Sequence, residues 1–387
     1  MSTGPAANID PSTVRIPASL LPSDGRFGSG PSKVRLPALA ALAAASEGST
    51  YLGTSHRQRP VTSMVGRLRA GLAELFSLPE GYEVVLGNGG TTCFWDMASF
   101  CLVRRHSQHL SFGEFSSKFA SVVAACPHLD APEVITSATG THPSVRLDPE
   151  VDLYALTQNE TTTGVSMEVC RPAGSEESGA IVAVDATSAA GGLRVDVACC
   201  DAYYFAPQKC FASDGGLWVA LVSPAAVDRV RSISTSGRWV PAFLDLGIAI
   251  QSSAKDQTYN TPALATLLLM VDQLEWMLGS GGLEWAASRC DASAESLYGW
   301  AEASDYATPF VAVPAERSHV TGCIDLDASI DATAVAKTLR ANGIVDTEPY
   351  RKLGRNQLRI AMFPAIDPTD IAALTGCIDY AVAKLAG

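Results

Sequence analysis

Short apolar runs alternate with amphipathic stretches along most of the chain. The apolar runs predict buried strands at 82–87, 109–112, 151–157, 181–185 and 216–222. The clearest amphipathic stretch, 61–76, repeats apolar residues at helical spacing: Val61, Met64, Val65, Leu68, Leu72, Leu75 and Phe76. Apolar strands separated by helices are typical of a sheet buried on both faces. The pattern therefore predicts an α/β domain with a mixed, mostly parallel sheet.

The pattern changes after a long apolar helix that follows Pro262. Further on, strands at 319–326 and 357–364 and a final helix that starts at Pro368 predict a smaller α+β region. The predicted division is an N-terminal arm at 1–23, a large domain at 24–275 and a small C-terminal domain at 276–387.

Two stretches between these elements are predicted to be loops. Residues 24–34 contain three glycines and a proline, which predict a tight, exposed turn where backbone can approach a ligand closely. Residues 236–262 show no regular pattern and are predicted to be mostly irregular. Long irregular segments in compact domains are usually functional.

The stretch 181–209 holds the most informative chemistry. One strand ends in Asp185, and Lys209 follows Gln208 after the next apolar strand. In open α/β sheets, ligands bind outside the carboxyl ends of the strands. A Lys can form a Schiff base with pyridoxal phosphate, and an acid can pair with the protonated ring nitrogen. The residues alone leave open that Asp185 is a turn residue and Lys209 a solvated surface lysine.

Other strand ends carry polar or aromatic residues. The strand at 82–87 leads into Gly90, Thr91 and Thr92 at a helix start, where backbone N–H groups could hold a phosphate. Many such turns carry glycine for geometry only. Phe115 begins a helix and could either stack on a flat cofactor or pack in the core, and Thr161 lies in a polar cluster that follows 151–157.

The composition of the chain narrows the classes of partner that the protein is expected to bind. The chain has 387 residues, 47% hydrophobic and 18% charged, with a net charge of −12. The acidic balance without a basic block argues against nucleic acid and anionic membranes as partners. No apolar run reaches the length of a membrane span, and the first residues lack the apolar core of a signal peptide. Ten dispersed cysteines without CxxC spacing predict no metal site and a cytoplasmic protein with reduced thiols.

Eight segments occur in a fixed order along residues 24–385: FGSGPSK, TSHR, GNGGTTCFW, NET, VDATS, APQK, YNTP and GRNQLRIAMFP. This ordered set resembles the phosphoserine aminotransferase family, a class V family of fold type I pyridoxal phosphate enzymes, and its actinobacterial branch in particular. The resemblance implies a large cofactor-binding domain with a seven-stranded, mostly parallel mixed sheet and a small C-terminal α+β domain. It also implies a homodimer with shared active sites.

The resemblance implies a role for each matching residue. Lys209 and Asp185 would be catalytic, as the Schiff-base lysine and the partner of the pyridinium nitrogen. The implied cofactor-binding residues are Gly90, Thr91, Thr92, Phe115, Thr161, Asp185, Gln208, Lys209, Asn260 and Thr261, the last two from the neighbouring subunit. The implied substrate-binding residues are Ser29, His56, Arg57, Arg355 and Arg359, of which Arg359 matches the ligand of the α-carboxylate.

The chain departs from the family pattern at three places. Phe115 stands where many members carry a tryptophan. Thr91 stands where many carry an arginine, and a His-Arg pair that precedes the α-carboxylate arginine is absent. Arg351, Lys352 or Arg355 could supply the missing charge near the substrate phosphate, and the sequence does not choose among them.

The implied reaction is transfer of an amino group from glutamate to 3-phosphohydroxypyruvate, which gives 2-oxoglutarate and O-phosphoserine in serine biosynthesis. A side activity in pyridoxine biosynthesis is possible. Two alternatives stay open: a related class V enzyme, such as a serine–pyruvate or alanine–glyoxylate aminotransferase, and a non-catalytic protein that keeps the fold.

Overall fold

The computed structural model describes residues 9–47 and 51–386. The helices in these ranges are α1 Leu36–Glu47, α2 Arg59–Leu75, α3 Thr91–Cys101, α4 Glu114–Ala124, α5 Pro224–Ser234, α6 Leu246–Ser253, α7 Leu264–Ser280, α8 Gly282–Ala303, α9 Ala332–Ala341 and α10 Pro368–Leu385. The strands are β1 Glu83–Gly89, β2 Ser107–Ser111, β3 Glu133–Thr136, β4 Leu153–Thr157, β5 Asn159–Glu160, β6 Val165–Ser166, β7 Ile181–Asp185, β8 Ala202–Phe205, β9 Gly216–Val222, β10 Ala307–Pro309, β11 Thr321–Leu326 and β12 Gln357–Ala361.

The central element is a seven-stranded sheet in the order β1-β9-β8-β7-β4-β2-β3. The pairs from β8 to β3 are parallel, and β9 is antiparallel to both of its neighbours. This arrangement confirms the predicted α/β fold with a mostly parallel mixed sheet. The edge strand β3 was not predicted, because only alternate side chains of this short strand are sheltered.

Both faces of the sheet are covered by helices. Along β9, Leu217 and Val219 pack on the face that α2 and α7 cover. Trp218 and Ala220 point to the opposite face, where α3, α5 and α6 pack. Because each strand contributes side chains to two cores, its sequence reads as a continuous apolar run.

The segment 236–262 is mostly irregular, as predicted, but it also contains helix α6, which was not predicted. The Asp245 side chain caps the helix by accepting hydrogen bonds from the backbone N of Gly247 at 2.8 Å and of Ile248 at 3.3 Å. Leu246 and Ala249 then pack into the core beside α3. The helix is short, so its packing against the sheet layer contributes more to its stability than its weak amphipathic pattern does.

The prediction that 24–34 is an exposed turn was wrong in part. Phe27, Gly28 and Ser29 are buried, because the segment runs beneath the loop that precedes β12. Phe27 N donates a hydrogen bond to the carbonyl oxygen of Val345 at 3.3 Å. The glycines allow this close approach of two backbones.

A smaller antiparallel sheet, β10-β11-β12, forms a separate core with α8, α9 and α10. The segment 9–23 lies against it: Ile16 N donates to Asn342 Oδ1 at 3.0 Å, and Ser23 N donates to Asp370 Oδ1 at 2.7 Å. Residues 1–8 of the predicted arm lie outside the described residues. The predicted boundary at 275/276 falls inside α7, and the division into domains stays a prediction.

The sheet brings several chain segments to one edge. Strands β8, β7, β4 and β2 run in the same direction, and β1 shares it because both β1 and β8 are antiparallel to β9. The turns that follow these strands therefore meet at the carboxyl edge of the sheet.

Across residues 9–47 and 51–386, we find no helix with both the length and the apolar character needed to cross a bilayer.

Candidate active site

A cavity of about 380 Å³ opens at this carboxyl edge. Eight of the residues predicted for the site line it: Gly90, Thr91, Thr92, Phe115, Thr161, Asp185, Gln208 and Lys209. They come from the turns after β1, β2, β4, β7 and β8, so residues far apart in the chain meet here because their strands are aligned. The other predicted site residues are Ser29, His56, Arg57, Asn260, Thr261, Arg355 and Arg359, and they do not line this cavity.

Lys209 is buried at the base of the cavity. Its Nζ donates a hydrogen bond to the carbonyl oxygen of Ser29. A Cβ on Gly30 would overlap the Lys209 side chain, and Gly30 has a φ of +139°, which favours glycine. Burial and the charge of Arg359 lower the pKa of the Lys209 amine to about 8. Neutral amine, the form that reacts with a carbonyl group, is therefore well populated at mildly basic pH.

Asp185 ends β7 on the other side of the cavity. Its Oδ1 accepts hydrogen bonds from Thr187 N at 2.9 Å and Thr187 Oγ1 at 2.5 Å, and its Oδ2 accepts one from Trp95 Nε1 at 3.2 Å. Burial raises the pKa of Asp185 to about 6, and these hydrogen bonds oppose the rise. The carboxylate is thus buried, oriented and without a cationic partner among the residues that hold it.

Sequence reasoning missed Trp95 and Thr187. Trp95 lies one helical turn after Thr91 in α3, so the helix that begins at the predicted phosphate cradle also reaches Asp185. Thr187 Oγ1 lies 2.8 Å from Thr91 Oγ1. The available signal was spacing: a hydroxyl two residues after an aspartate commonly bonds its carboxylate in a turn.

Arg359 reaches the site from β12 of the smaller sheet. Its Nη1 donates to the carbonyl oxygen of Thr161 at 3.5 Å, and its guanidinium lies 5.5 Å from the ring centroid of Tyr350. Its Nε is buried without a hydrogen-bond partner. Burial lowers the pKa of Arg359.

Several buried polar atoms at the site lack partners. They include Gln208 Oε1, Asn159 Oδ1, Ser29 Oγ and Arg359 Nε. Buried polar groups are normally hydrogen-bonded, so these atoms indicate a ligand that supplies their partners. Helix α3 likewise begins after Gly90 without a side-chain cap, which leaves its first N–H groups available to an anion. Together with Lys209 and Asp185, these groups fit pyridoxal phosphate.

A second group of predicted residues lies outside the cavity, and its one buried member is His56. Thr261 Oγ1 is 3.1 Å from His56 Nδ1, and the carbonyl oxygen of Thr261 accepts a hydrogen bond from Asn88 Nδ2 at 2.6 Å. Burial and the neighbouring Arg57 lower the pKa of His56. Arg57, Asn260 and Thr261 are exposed. We call His56, Arg57, Asn260 and Thr261 the surface cluster.

The three alternative phosphate ligands differ in their contacts. Arg355 forms an ion pair with Asp325, and its guanidinium lies 4.6 Å from the ring centroid of Phe310. Lys352 forms an ion pair with Glu114. Arg351 is exposed and has no ion pair within the described ranges. The predicted role of Arg355 stays a prediction, because a ligand would have to compete with its acidic partner.

Comparisons with known proteins identify the family of this chain. Residues 27–347 match the model of the family described as Aminotransferase class-V. The chain belongs to the class-V aminotransferase family. A relative named phosphoserine aminotransferase, from Rhodococcus jostii, is 62% identical over 374 residues, which cover 97% of this chain and 99% of the relative.

Solved structures share the fold of this aminotransferase. A phosphoserine aminotransferase from Cytophaga hutchinsonii aligns with a TM-score of 0.84 and 20% identity, covering 92% of this chain and 99% of its own. A pyridoxal phosphate-bound phosphoserine aminotransferase from Trichomonas vaginalis aligns with a TM-score of 0.77 and 18% identity, covering 92% and 99%. The predicted family, its pyridoxal phosphate cofactor and the predicted fold are confirmed.

The lowered pKa of Lys209 predicts pH-dependent labelling of the cofactor-free protein. Reductive alkylation by a small aldehyde needs a neutral amine, so labelling of Lys209 should rise about tenfold per pH unit below about pH 8 and level off above it. Mass spectrometry of peptides measures the rate at each site. Lys352, whose pKa the Glu114 carboxylate raises, serves as the internal control and should be labelled more slowly at pH 8. Equal rates at the two lysines would contradict the prediction.

Proposed function

We propose that the protein is a phosphoserine transaminase that uses glutamate to convert 3-phosphohydroxypyruvate into O-phosphoserine, with 2-oxoglutarate as the second product, in serine biosynthesis. The observation that carries the substrate assignment is the 62% identity with the Rhodococcus jostii phosphoserine aminotransferase over nearly the whole of both chains. The cavity supports the chemistry, since it combines a buried lysine, a buried aspartate and an uncapped helix start.

Pyridoxal phosphate, when bound, carries the amino group and withdraws electrons from the substrate carbon that loses its proton. We assign its phosphate to Gln208 and the turn of Gly90, Thr91 and Thr92. We assign contact with its ring to Phe115 and Thr161. The carboxylate of Asp185 would face the ring nitrogen and favour the protonated form of that nitrogen, because an opposite charge stabilises it.

Lys209 is assigned the proton transfers. Its Nζ would accept the proton from the α-carbon of the amino donor and pass it to the cofactor carbon C4′ within the same half-reaction, and it would move a proton in the opposite direction in the second half-reaction. This role needs a neutral amine, which the burial of Lys209 favours. The carbonyl oxygen of Ser29, which accepts a hydrogen bond from Nζ, would keep the amine oriented between transfers.

The substrate has two anionic ends, which require two separate cationic sites. We assign the α-carboxylate to Arg359, whose buried Nε lacks a partner, and a polar contact to the nearby Ser29 hydroxyl. We assign the phosphate to His56 and Arg57, with Arg355 as a further predicted ligand. Arg351, which is exposed and has no acidic partner in the described ranges, is the second candidate for that further position.

We also propose a homodimer in which the surface cluster completes the cavity of the partner subunit. Its residues do not line the cavity of their own chain. Trp239 and Tyr259, on the same chain segment as Asn260, expose 75% and 44% of their surfaces, which is unusual for aromatic side chains of this size and suits an interface. Asn260 and Thr261 would then contact the cofactor phosphate of the partner.

Three finer assignments complete the proposal. The small sheet has a hydrophobic core separate from the cores on the two faces of the large sheet, which supports the division into a large cofactor domain and a small C-terminal domain. The described cysteines are all free thiols, which supports a cytoplasmic location. A side activity in pyridoxine biosynthesis would use the same cationic groups, because its substrate also carries a carboxylate and a phosphate.

Absorption spectroscopy tests the proposed reaction. O-phosphoserine alone should change the visible absorption band of the cofactor-loaded protein, and 2-oxoglutarate should then restore it, because the two half-reactions are separate. Serine and alanine at equal concentration are the controls and should change the band much less. A larger response to alanine would favour a different class V aminotransferase, and no response to any amino acid would favour a non-catalytic protein.

The Arg57→Ala variant tests the phosphate site. A charged hydrogen bond contributes about 1.5–3 kcal/mol, so kcat/KM for O-phosphoserine should fall about 10- to 150-fold. Turnover of alanine, which has no phosphate, should change less than about twofold. Steady-state assays with both amino donors measure this difference. Arg59→Ala, at an exposed neighbouring arginine, is the matched control. Equal losses for both donors would exclude a phosphate-specific role for Arg57.

Mixing of two impaired variants tests the shared site. A mixed dimer contains one Lys209→Ala subunit and one Arg57→Ala subunit. It has one site with both residues intact only if Arg57 acts across the interface. Random reassociation makes about half of the dimers mixed, so the mixture should recover about one quarter of the unmodified activity towards O-phosphoserine. Size-exclusion chromatography checks that dimers re-form. Activity no higher than the average of the two variants would show that Arg57 serves its own chain.

A further inference from the structure

A buried carboxylate beside the cavity has no role in the function proposed above. Glu160 ends β5, one residue before Thr161, and its side chain is fully buried. Its Oε2 accepts hydrogen bonds from Phe115 N at 3.0 Å, Ser116 N at 2.9 Å and Ser116 Oγ at 3.0 Å. Its Oε1 accepts hydrogen bonds from Thr162 N at 3.2 Å and Thr162 Oγ1 at 2.8 Å.

These contacts place the carboxylate at the N-terminus of α4. The first N–H groups of a helix have no intrahelical partner and form the positive end of its dipole. The N-cap residue is Gly113, which has no side chain to accept them. A Cβ on Gly113 would overlap the carboxyl group of Glu160. Glycine at this position therefore makes room for an acceptor that comes from another strand.

Phe115, the second residue of α4, lines the cavity and is only half-buried. The centroid of its ring lies 6.4 Å from that of the Tyr350 ring. The hydrogen bonds from the backbone N of Phe115 and of Ser116 to Glu160 therefore hold this turn of α4, together with the ion pair between Glu114 and Lys352.

We propose that Glu160 is a positioning residue that holds the first turn of α4, so that the Phe115 ring lies against the cofactor and tightens its binding. This inference rests on the proposed placement of pyridoxal phosphate in the cavity, but not on the identity of the amino donor. The carboxylate accepts hydrogen bonds from α4 through Oε2 and from the residue after Thr161 through Oε1, and so ties together two segments that line the cavity.

A purely electrostatic role is the competing explanation. The charge of Glu160 raises the pKa of both Lys209 and Asp185, so removing it would change the site even without moving Phe115. An electrostatic effect would be the same whichever side chain stands at position 115. A positioning effect requires the Phe115 ring, and a double-mutant cycle separates the two.

The test measures the dissociation constant of pyridoxal phosphate from quenching of tryptophan fluorescence in cofactor-free protein. Glu160→Gln keeps the shape but replaces one acceptor oxygen with an N–H donor that faces other donors. It should weaken cofactor binding about tenfold in the unmodified background and less than about twofold in the Phe115→Leu background. Equal weakening in both backgrounds, or none in either, would overturn the proposal.

Hydrogen–deuterium exchange gives a second readout that does not depend on the cofactor. Amides at 113–118 should exchange faster in cofactor-free Glu160→Gln, and unchanged exchange there would also overturn the proposal. Glu168→Gln makes the same chemical change at an exposed position and should alter neither measurement.

Ser116→Ala covers the case in which Glu160→Gln does not fold. This variant removes one donor to Glu160 and leaves the charge in place, so it should weaken cofactor binding only when Phe115 is present. Weakening of equal size in the Phe115→Leu background would overturn the proposal. Turnover of O-phosphoserine by the unmodified protein is measured separately, and its absence would count against the proposed function while the cofactor-binding cycle stays interpretable.

Discussion

The parallel alignment of β8, β7, β4 and β2 is the constraint on which the active site depends. It places the turn after each strand at one edge of the sheet, so Asp185 and Lys209 meet although they follow different strands. Helices on both faces keep these strands buried, and the cavity opens at the carboxyl edge. The position of the cavity thus follows from the order and direction of the strands in the sheet.

Burial determines the electrostatics of the cavity. Desolvation disfavours charge, and it therefore lowers the pKa of Lys209 and raises that of Asp185. Both shifts move the groups towards neutrality in the absence of a ligand. A ligand with a basic ring nitrogen would supply the cationic partner that Asp185 lacks, and an anionic end of that ligand would accept hydrogen bonds from the start of α3, so the site suits pyridoxal phosphate.

The residues assigned to the site come from the large sheet layer, the smaller sheet and the surface cluster. Arg359 comes from the smaller sheet and reaches the carbonyl oxygen of Thr161, so the relative placement of the large and small sheets decides where a substrate carboxylate could bind. Glu160 is fixed within the large sheet layer. The surface cluster around His56 and Thr261 lies outside the cavity of its own chain, in keeping with a site that two subunits would share.

The sequence by itself determined the fold class, the family and half of the cavity lining, because apolar runs, turn residues and ordered motifs are local properties. Helix α6 and edge strand β3 were missed, because their stability comes from packing that a weak local pattern does not reveal. Only the tertiary structure joined Trp95 to Asp185, Glu160 to the start of α4, and Arg355 to Asp325. These partners are distant in sequence, and the choice among them depends on which side chains the strand order brings within hydrogen-bonding distance.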